Sequence, residues 1–240
     1  MNAIEQYIHD RDEQVSKNKD DAILQNGVHS FTEHLVRTNY IKNFTWMGIP
    51  ILQYPSDLMV MQELIWEVKP DYIIETGVAF GGMTLFYAHM LDAIGKGKVL
   101  GIDIEIREHT KAIIKHPRIE LKELSSIDPN LLKTIKCLTE NKTVLVSLDS
   151  NHNHAHVLCE LKLYAPLISV GSYIIAYDTA IDFFGYLDKN KDQRPWGPGN
   201  SPYTAVQQFL KETDDFTVDK EIEQRVLITA APGGYLKRVK

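Results

Sequence analysis

Residues 71–84, Asp-Tyr-Ile-Ile-Glu-Thr-Gly-Val-Ala-Phe-Gly-Gly-Met-Thr, constrain the fold of this chain more than any other stretch. Tyr72-Ile73-Ile74 is a run of β-formers between Pro70 and Gly77, the pattern of a buried strand in a parallel sheet. Gly77, Gly81 and Gly82 follow in a loop that can turn tightly and let a ligand approach the backbone. The spacing then predicts a helix to about Gly95, with Leu85, Ala88, Met90 and Leu91 among its apolar positions. A second strand over 98–102 ends on Asp103. One strand–helix–strand crossover has this length, and an acidic residue at the second strand's end is placed to accept hydrogen bonds from ribose hydroxyls.

The loop also narrows the cofactor. A dinucleotide fingerprint is Gly-x-Gly-x-x-Gly, whose second glycine admits a pyrophosphate; here the series is Gly77-x-Ala79-x-x-Gly82. No phosphate-binding Gly-x-x-x-x-Gly-Lys-Ser/Thr stands in the loop. Glu75, closing the first strand, offers a carboxylate where a positively charged ligand group could be held. A ribose, an adenine and a cationic tail without pyrophosphate describe S-adenosylmethionine. The glycines also have a purely geometric reading, as turn residues between strand and helix.

The chain's 240 residues suit one domain with an appended segment. We divide it into an N-terminal extension, 1–50, and a catalytic domain, 51–240. The first 27 residues are polar and charge-mixed, with 10–21 solvent-facing; from Val28 onward Phe31, Leu35, Tyr40, Phe44, Trp46 and Met47 add aromatic weight. That segment is expected to be buried, against the domain or another subunit, or to form a lid; a homo-oligomer is the expected state. A net charge of −6 argues against nucleic acid as partner. No stretch reaches membrane-spanning length, and the N-terminus lacks a secretory pattern. With Cys137 and Cys159 alone, a reduced cytoplasmic protein is expected.

After Asp103 the pattern alternates: a helix over 107–115, a strand over 118–124, a helix over 129–138, an almost wholly apolar and therefore central strand over 143–148, a helix over 155–167 and a strand over 173–177. A helix over 202–213 and two terminal runs, 216–218 and 225–229, complete it, and the basic end 236–240 reads as a solvated tail. Such alternation predicts a Rossmann-like, doubly wound α/β sheet.

In that architecture ligands bind beyond the carboxyl ends of the strands, where Glu75, Asp103, Ser125-Ser126, Asp149 and Asp178 stand. Asp149 opens Asp-Ser-Asn-His-Asn-His-Ala-His. The His-x-His-x-His spacing is not that of a helical zinc site, and no cysteine joins it. Asp149 with Asp178 suits a hard cation such as magnesium; His152 and His154 lie in a loop from which either can reach a substrate, and His156 falls on the surface of the following helix. The loop 193–204 offers Arg194 and Trp196 as a charged contact and a flat apolar wall, or else serves only as a rigid crossover.

Glu75-Thr76-Gly77, Gly81-Gly82, Leu148-Asp149-Ser150-Asn151-His152, Tyr177-Asp178-Thr179, Arg194-Pro195-Trp196-Gly197 and Gly234-Tyr235-Leu236-Lys237-Arg238 together resemble the cephalosporin hydroxylase/rhamnosyl O-methyltransferase family over roughly residues 45–240. The resemblance implies a catechol O-methyltransferase-like fold that uses S-adenosylmethionine and magnesium, with Asp149 and Asp178 as metal ligands. It implies that Gly77, Ala79, Gly81, Gly82 and Asp103 hold the cofactor, with Ser126 and Asp128 near its adenine and Asp149 also at the cofactor. His152 stands three residues after Asp149, where the catechol enzymes place a lysine base, and His154 is the alternative base. Some magnesium-binding relatives carry a carboxylate immediately before the second aspartate; here Tyr177 occupies that position, and water or Asp182 would fill the gap. The expected activity is O-methylation of a small polar acceptor, a sugar or glycoside. The rivals are an NAD-linked oxidoreductase and a non-catalytic binding protein of the same fold.

Overall fold

The computed structural model describes residues 1–240, the side chain of Ile113 excepted. Two helices, α1 (Ala3–Lys19) and α2 (Ala22–Arg37), come first. Asn2 and Glu5 close a capping box at the start of α1, none of whose residues is buried, and Asp21 caps the start of α2, so the polar opening spans two helices. A two-strand ladder, β1 (Thr45–Trp46) and β2 (Ile49–Pro50), leads into α3 (Pro55–Val68). Pro55 opens α3, where its missing N–H is no loss, and Lys69 ends it in a left-handed conformation. Then come β3 (Tyr72–Thr76), α4 (Gly82–Ile94), β4 (Lys98–Asp103), α5 (Glu108–Ile113), β5 (Ile119–Glu123), α6 (Pro129–Thr139), β6 (Val144–Leu148), α7 (His154–Tyr164), β7 (Tyr173–Ala176), α8 (Ile181–Phe184), α9 (Pro202–Glu212), β8 (Phe216–Val218), α10 (Lys220–Arg225) and β9 (Tyr235–Arg238).

Seven strands pair in the order β5-β4-β3-β6-β7-β9-β8. The first five run parallel, and β9 inserts antiparallel between β7 and β8. β6 is the middle strand, and all five of its residues are buried, as its apolar run requires. Core residues divide between the two faces. Ile73, Val99 and Leu145 pack with α3 and α4 on one; Ile74, Leu100 and Val146 pack with α6, α7 and α9 on the other. The order in which strands are added reverses between the parallel neighbours β3 and β6, and the crevice beyond their carboxyl ends is where such folds bind ligands. Among the described residues, no helix is long and apolar enough to cross a membrane.

The end of the chain departs from expectation. Asp219 caps α10 by accepting from the Glu221 and Ile222 amides, so the run 225–229 begins in a helix and forms no strand. The final strand is β9, and Leu236 is fully buried rather than part of a solvated tail. What diverts 229–235 is Asp57 on α3. Its buried carboxylate accepts from Thr229 Oγ1 at 2.5 Å, Ala230 N at 2.9 Å and Tyr235 OH at 2.7 Å. Burial pushes Asp57 up to about 6, against the pull of those hydrogen bonds.

The sign of the resulting pH dependence follows. The native state keeps the Asp57 proton between about pH 4 and 6, where the unfolded chain has lost it. This contribution to stability is complete below about pH 4 and lost as pH rises through about 6, on the order of 3 kcal/mol in all. Denaturant unfolding at pH 4 and pH 7.5 should show a smaller difference in the Asp57→Asn protein than in the parent. An equal difference in both would mean that other carboxyls carry the slope.

The N-terminal segment is mixed. Leu35 and Ile49 are buried, and Tyr40, Phe44 and Trp46 pack against the core. Phe31 and Met47, expected inside, are 54% and 74% exposed.

Candidate functional site

The end of β3 meets the end of β6 so closely that only glycine fits between them. Gly77 has φ +90°, and a Cβ there would lie 2.0 Å from the Asp149 carbonyl oxygen. Gly82 plays the same part on the other side: a Cβ would lie 2.3 Å from the Pro50 carbonyl, so the ladder β1–β2 is seated directly on the start of α4. Between them the loop is clamped from β4. One oxygen of Asp103 accepts from the amides of Val78 at 2.8 Å and Ala79 at 3.1 Å, and the other accepts from Glu105 N.

Above this loop lies a cavity of about 420 Å³. Its wall includes Gly77–Phe80, Gly82, Met83 and Asp103 from the loop region, Asp149, His152 and Asp178 from the ends of β6 and β7, and Arg194. The N-terminal extension contributes Leu35, Val36, Arg37, Ile41 and Lys42. Four lining residues that are not glycine, Asn39, Leu52, Ala79 and Asp178, have φ between 48° and 57°. Backbone held in the left-handed region costs free energy and concentrates where a site must be kept in one shape.

Asp149, His152 and Asp178 converge on the cavity floor, with one donor atom of each lying within 4.8 Å of the others. His152 Nε2 is 3.4 Å from Asp178 Oδ2, and its ring meets Trp196 edge-on, centroids 5.0 Å apart. Burial pushes the Asp149 carboxyl well up, and Asp178, Glu75 and Glu160 push it further by like charge. The Tyr54 hydroxyl, in the cavity wall, is pushed up to about 12 by burial and then by Asp178 and Asp57. The floor is therefore a place of crowded negative charge, which a cation relieves.

Several expected residues lie elsewhere. Glu75 points beneath the loop, where Thr84 Oγ1 donates to it; it is 2% exposed and burial pushes it up to about 8. Buried there and absent from the cavity wall, it does not meet a ligand cation directly. Gly81 is absent from the cavity wall and lets α4 approach Ile114. Asp128 caps α6 through the Asn130 and Leu131 amides. Ser126 is buried and paired with His156 at 3.1 Å; neither Ser126 nor Asp128 lines the cavity. His154 faces α9, its ring nitrogens engaged with Thr204 Oγ1 at 2.8 Å and Gln208 Oε1 at 2.9 Å, which removes it as a base. Asp182 accepts from Gly199 N and Ser201 Oγ, each at 2.8 Å, so it does not fill the gap at Tyr177. Tyr177 itself turns into the core. Arg194 lines the cavity, pairs with Asp188 at 2.9 Å and stands 5.7 Å from the Trp196 ring; Trp196 supports His152 from behind that wall.

One residue escaped the sequence reading. Gln53, 2% exposed, donates its side-chain N–H to Asp149 Oδ2 at 3.2 Å, and its own oxygen has no partner among the described residues. Its only mark in the sequence is polarity inside the apolar run Ile51-Leu52-Gln53-Tyr54.

Residues 38–239 match the family described as rhamnosyl O-methyltransferase/CmcI. The chain is 33% identical over 198 residues to the rhamnosyl O-methyltransferase of Mycobacterium tuberculosis, covering 81% of this chain and 78% of that protein. It belongs to this family. The Mycobacterium leprae rhamnosyl O-methyltransferase is likewise 33% identical, over 205 residues, 83% of this chain and 86% of the relative. Two solved structures of CmcI share the fold. One, without ligand, has a TM-score of 0.60 at 21% identity, covering 83% of this chain and 77% of CmcI; the other, with magnesium and S-adenosylmethionine, has 0.59 at 22%, covering 83% and 78%. The expected Rossmann-like methyltransferase fold is thus the fold of this family member.

Proposed function

We propose that this family member transfers the methyl group of S-adenosylmethionine to a sugar hydroxyl, with a magnesium ion at Asp149 and Asp178. The observation that carries the reading is the convergence of Asp149, His152 and Asp178 on the floor of a cavity whose wall includes the glycine loop. The curated relatives are named rhamnosyl O-methyltransferases, and one CmcI structure contains magnesium with S-adenosylmethionine. The donor set suits the metal, since two carboxylates crowded by like charge favour a hard dication. When bound, such a cation supplies Lewis-acid stabilisation of a developing alkoxide.

The chain's own residues do the rest. Asp103 and the loop would hold the nucleoside, and the crowded wall would orient the acceptor oxygen behind the methyl carbon. His152 would take the hydroxyl proton at Nδ1, with Nε2 turned to Asp178 and the ring held against Trp196. Gln53 would fix the rotamer of Asp149. A dinucleotide enzyme is disfavoured by the loop itself. The Val78 and Ala79 amides that would meet a pyrophosphate already serve Asp103. An extension acting as a lid belongs to this proposal, as do a cytoplasmic location and self-association.

Labelled S-adenosylmethionine with a panel of sugars and glycosides tests the reaction. No transfer to any sugar, with cofactor bound, would count against it. Exhaustive chelation should depress turnover and added magnesium restore it. Gln53→Leu, which keeps the volume but loses the contact to Asp149, should raise the magnesium needed for half-activity by about 10–100-fold. An unchanged magnesium titration would reduce Gln53 to packing.

A further inference from the structure

The chain carries a net charge of −6, yet the mouth of its cavity is cationic. Arg37 at the end of α2, Lys42 in the following turn, and Lys189 in the segment after β7 all line it and are exposed. Among the described residues, no carboxylate lies within 4.0 Å of any of the three, whereas Arg194 on the same wall is paired with Asp188. The carboxylates that face the cavity have other tasks. Asp149 and Asp178 form the floor with His152, and Asp103 clamps the loop. Charge is thus segregated, negative at the floor and positive at the rim. The three cations come from segments some 150 residues apart in sequence, so no local pattern assembles them.

We infer that the acceptor carries a fixed negative charge, a phosphate or carboxylate group, which Arg37, Lys42 and Lys189 hold at the rim while its hydroxyl reaches the floor. This rests on the methyltransferase reading above and names the substrate class of that site. S-adenosylmethionine does not account for the rim by itself: it brings one carboxylate together with two positive charges, its ammonium and its sulfonium. Three unpaired cations around one opening attract an anion, and their long side chains can follow one as it enters. Val36, Ile41 and Leu187 stand beside them in the wall, so the part of the acceptor between charge and hydroxyl meets apolar surface.

Binding to the protein loaded with S-adenosylhomocysteine and magnesium, followed calorimetrically, tests the inference without requiring turnover. The probes are dTDP-rhamnose, methyl glucuronide and the uncharged methyl rhamnoside. At least one charged probe should bind roughly ten-fold or more tighter than the neutral one, and which of them does separates a phosphate from a carboxylate. The advantage should shrink with added salt. It should also fall about 5–50-fold in the triple variant Arg37→Gln, Lys42→Gln, Lys189→Gln, whose exposed positions leave the core intact. Unchanged melting and unchanged S-adenosylhomocysteine affinity would confirm that the variant is folded. Equal binding of neutral and charged probes, no measurable binding of either charged probe, or a preference that survives the triple substitution overturns the inference. Turnover of the neutral glycoside alongside equal binding would overturn the charge requirement and leave methyl transfer standing. Tight charged binding with no transfer to any sugar would support the rim and overturn the methyltransferase reading.

Discussion

Replacing His152 by alanine should lower turnover by roughly 10²–10⁴-fold while leaving S-adenosylhomocysteine affinity nearly unchanged, the range expected for loss of a general base. A sugar hydroxyl is a weak acid, so methyl transfer at neutral pH needs a group to receive its proton. Among the three histidines that follow Asp149, only His152 lines the cavity. Its ring is held between Asp178 at 3.4 Å and Trp196 at 5.0 Å. His154→Ala is the control: it removes contacts to Thr204 and Gln208 and should affect stability more than turnover. Because His152 would lie within reach of a metal held by the two aspartates, a magnesium titration of the variant separates two roles. A base lost leaves the magnesium requirement where it was, whereas a ligand lost raises it. Wild-type turnover in the His152→Ala protein would show that another group accepts the proton.

Gly77→Ala should destabilise the fold by about 2–5 kcal/mol, adding left-handed strain to overpacking, and should abolish cofactor binding in whatever protein remains folded. The methyl group would meet Asp149 O at 2.0 Å and Asp149 C at 2.5 Å, both backbone atoms that cannot swing away. To make room, the ends of β3 and β6 must part, and that movement displaces Asp149 from Asp178 and His152. Thermal unfolding and titration with S-adenosylhomocysteine read the two effects separately. A protein that melts normally and binds the ligand normally would mean that the loop can reshape, and that the glycine is a matter of turn geometry alone. Gly48 offers the comparison: it also has positive φ, but nothing within 4 Å of an added Cβ, so its alanine variant should show the backbone strain without the displacement.

What the amino-acid order determined by itself is whatever depends on neighbours in the chain. The β3–loop–α4–β4 unit, the buried middle strand β6, and the placing of Asp103, Asp149 and Asp178 at strand ends all follow from short-range pattern, because a parallel sheet aligns its carboxyl ends on one edge. The family resemblance was legible partly for the same reason, since three of the motifs that carried it, at 75–77, 148–152 and 177–179, lie at those ends. Tertiary packing decided where side chains aim. Glu75 and His154 sit next to functional residues in sequence yet point away, one under α4 through the two-residue alternation of β3, the other against α9 because it begins a helix packed there. Asp57 holds the segment 229–235 from a distance of more than 170 residues, since a buried carboxylate takes whatever donors the fold can bring. Gln53 reaches Asp149 across 96 positions, and the cationic rim joins the N-terminal extension to the segment after β7. Contacts of that kind leave no periodicity, because burial and charge complementarity act through space and not along the chain.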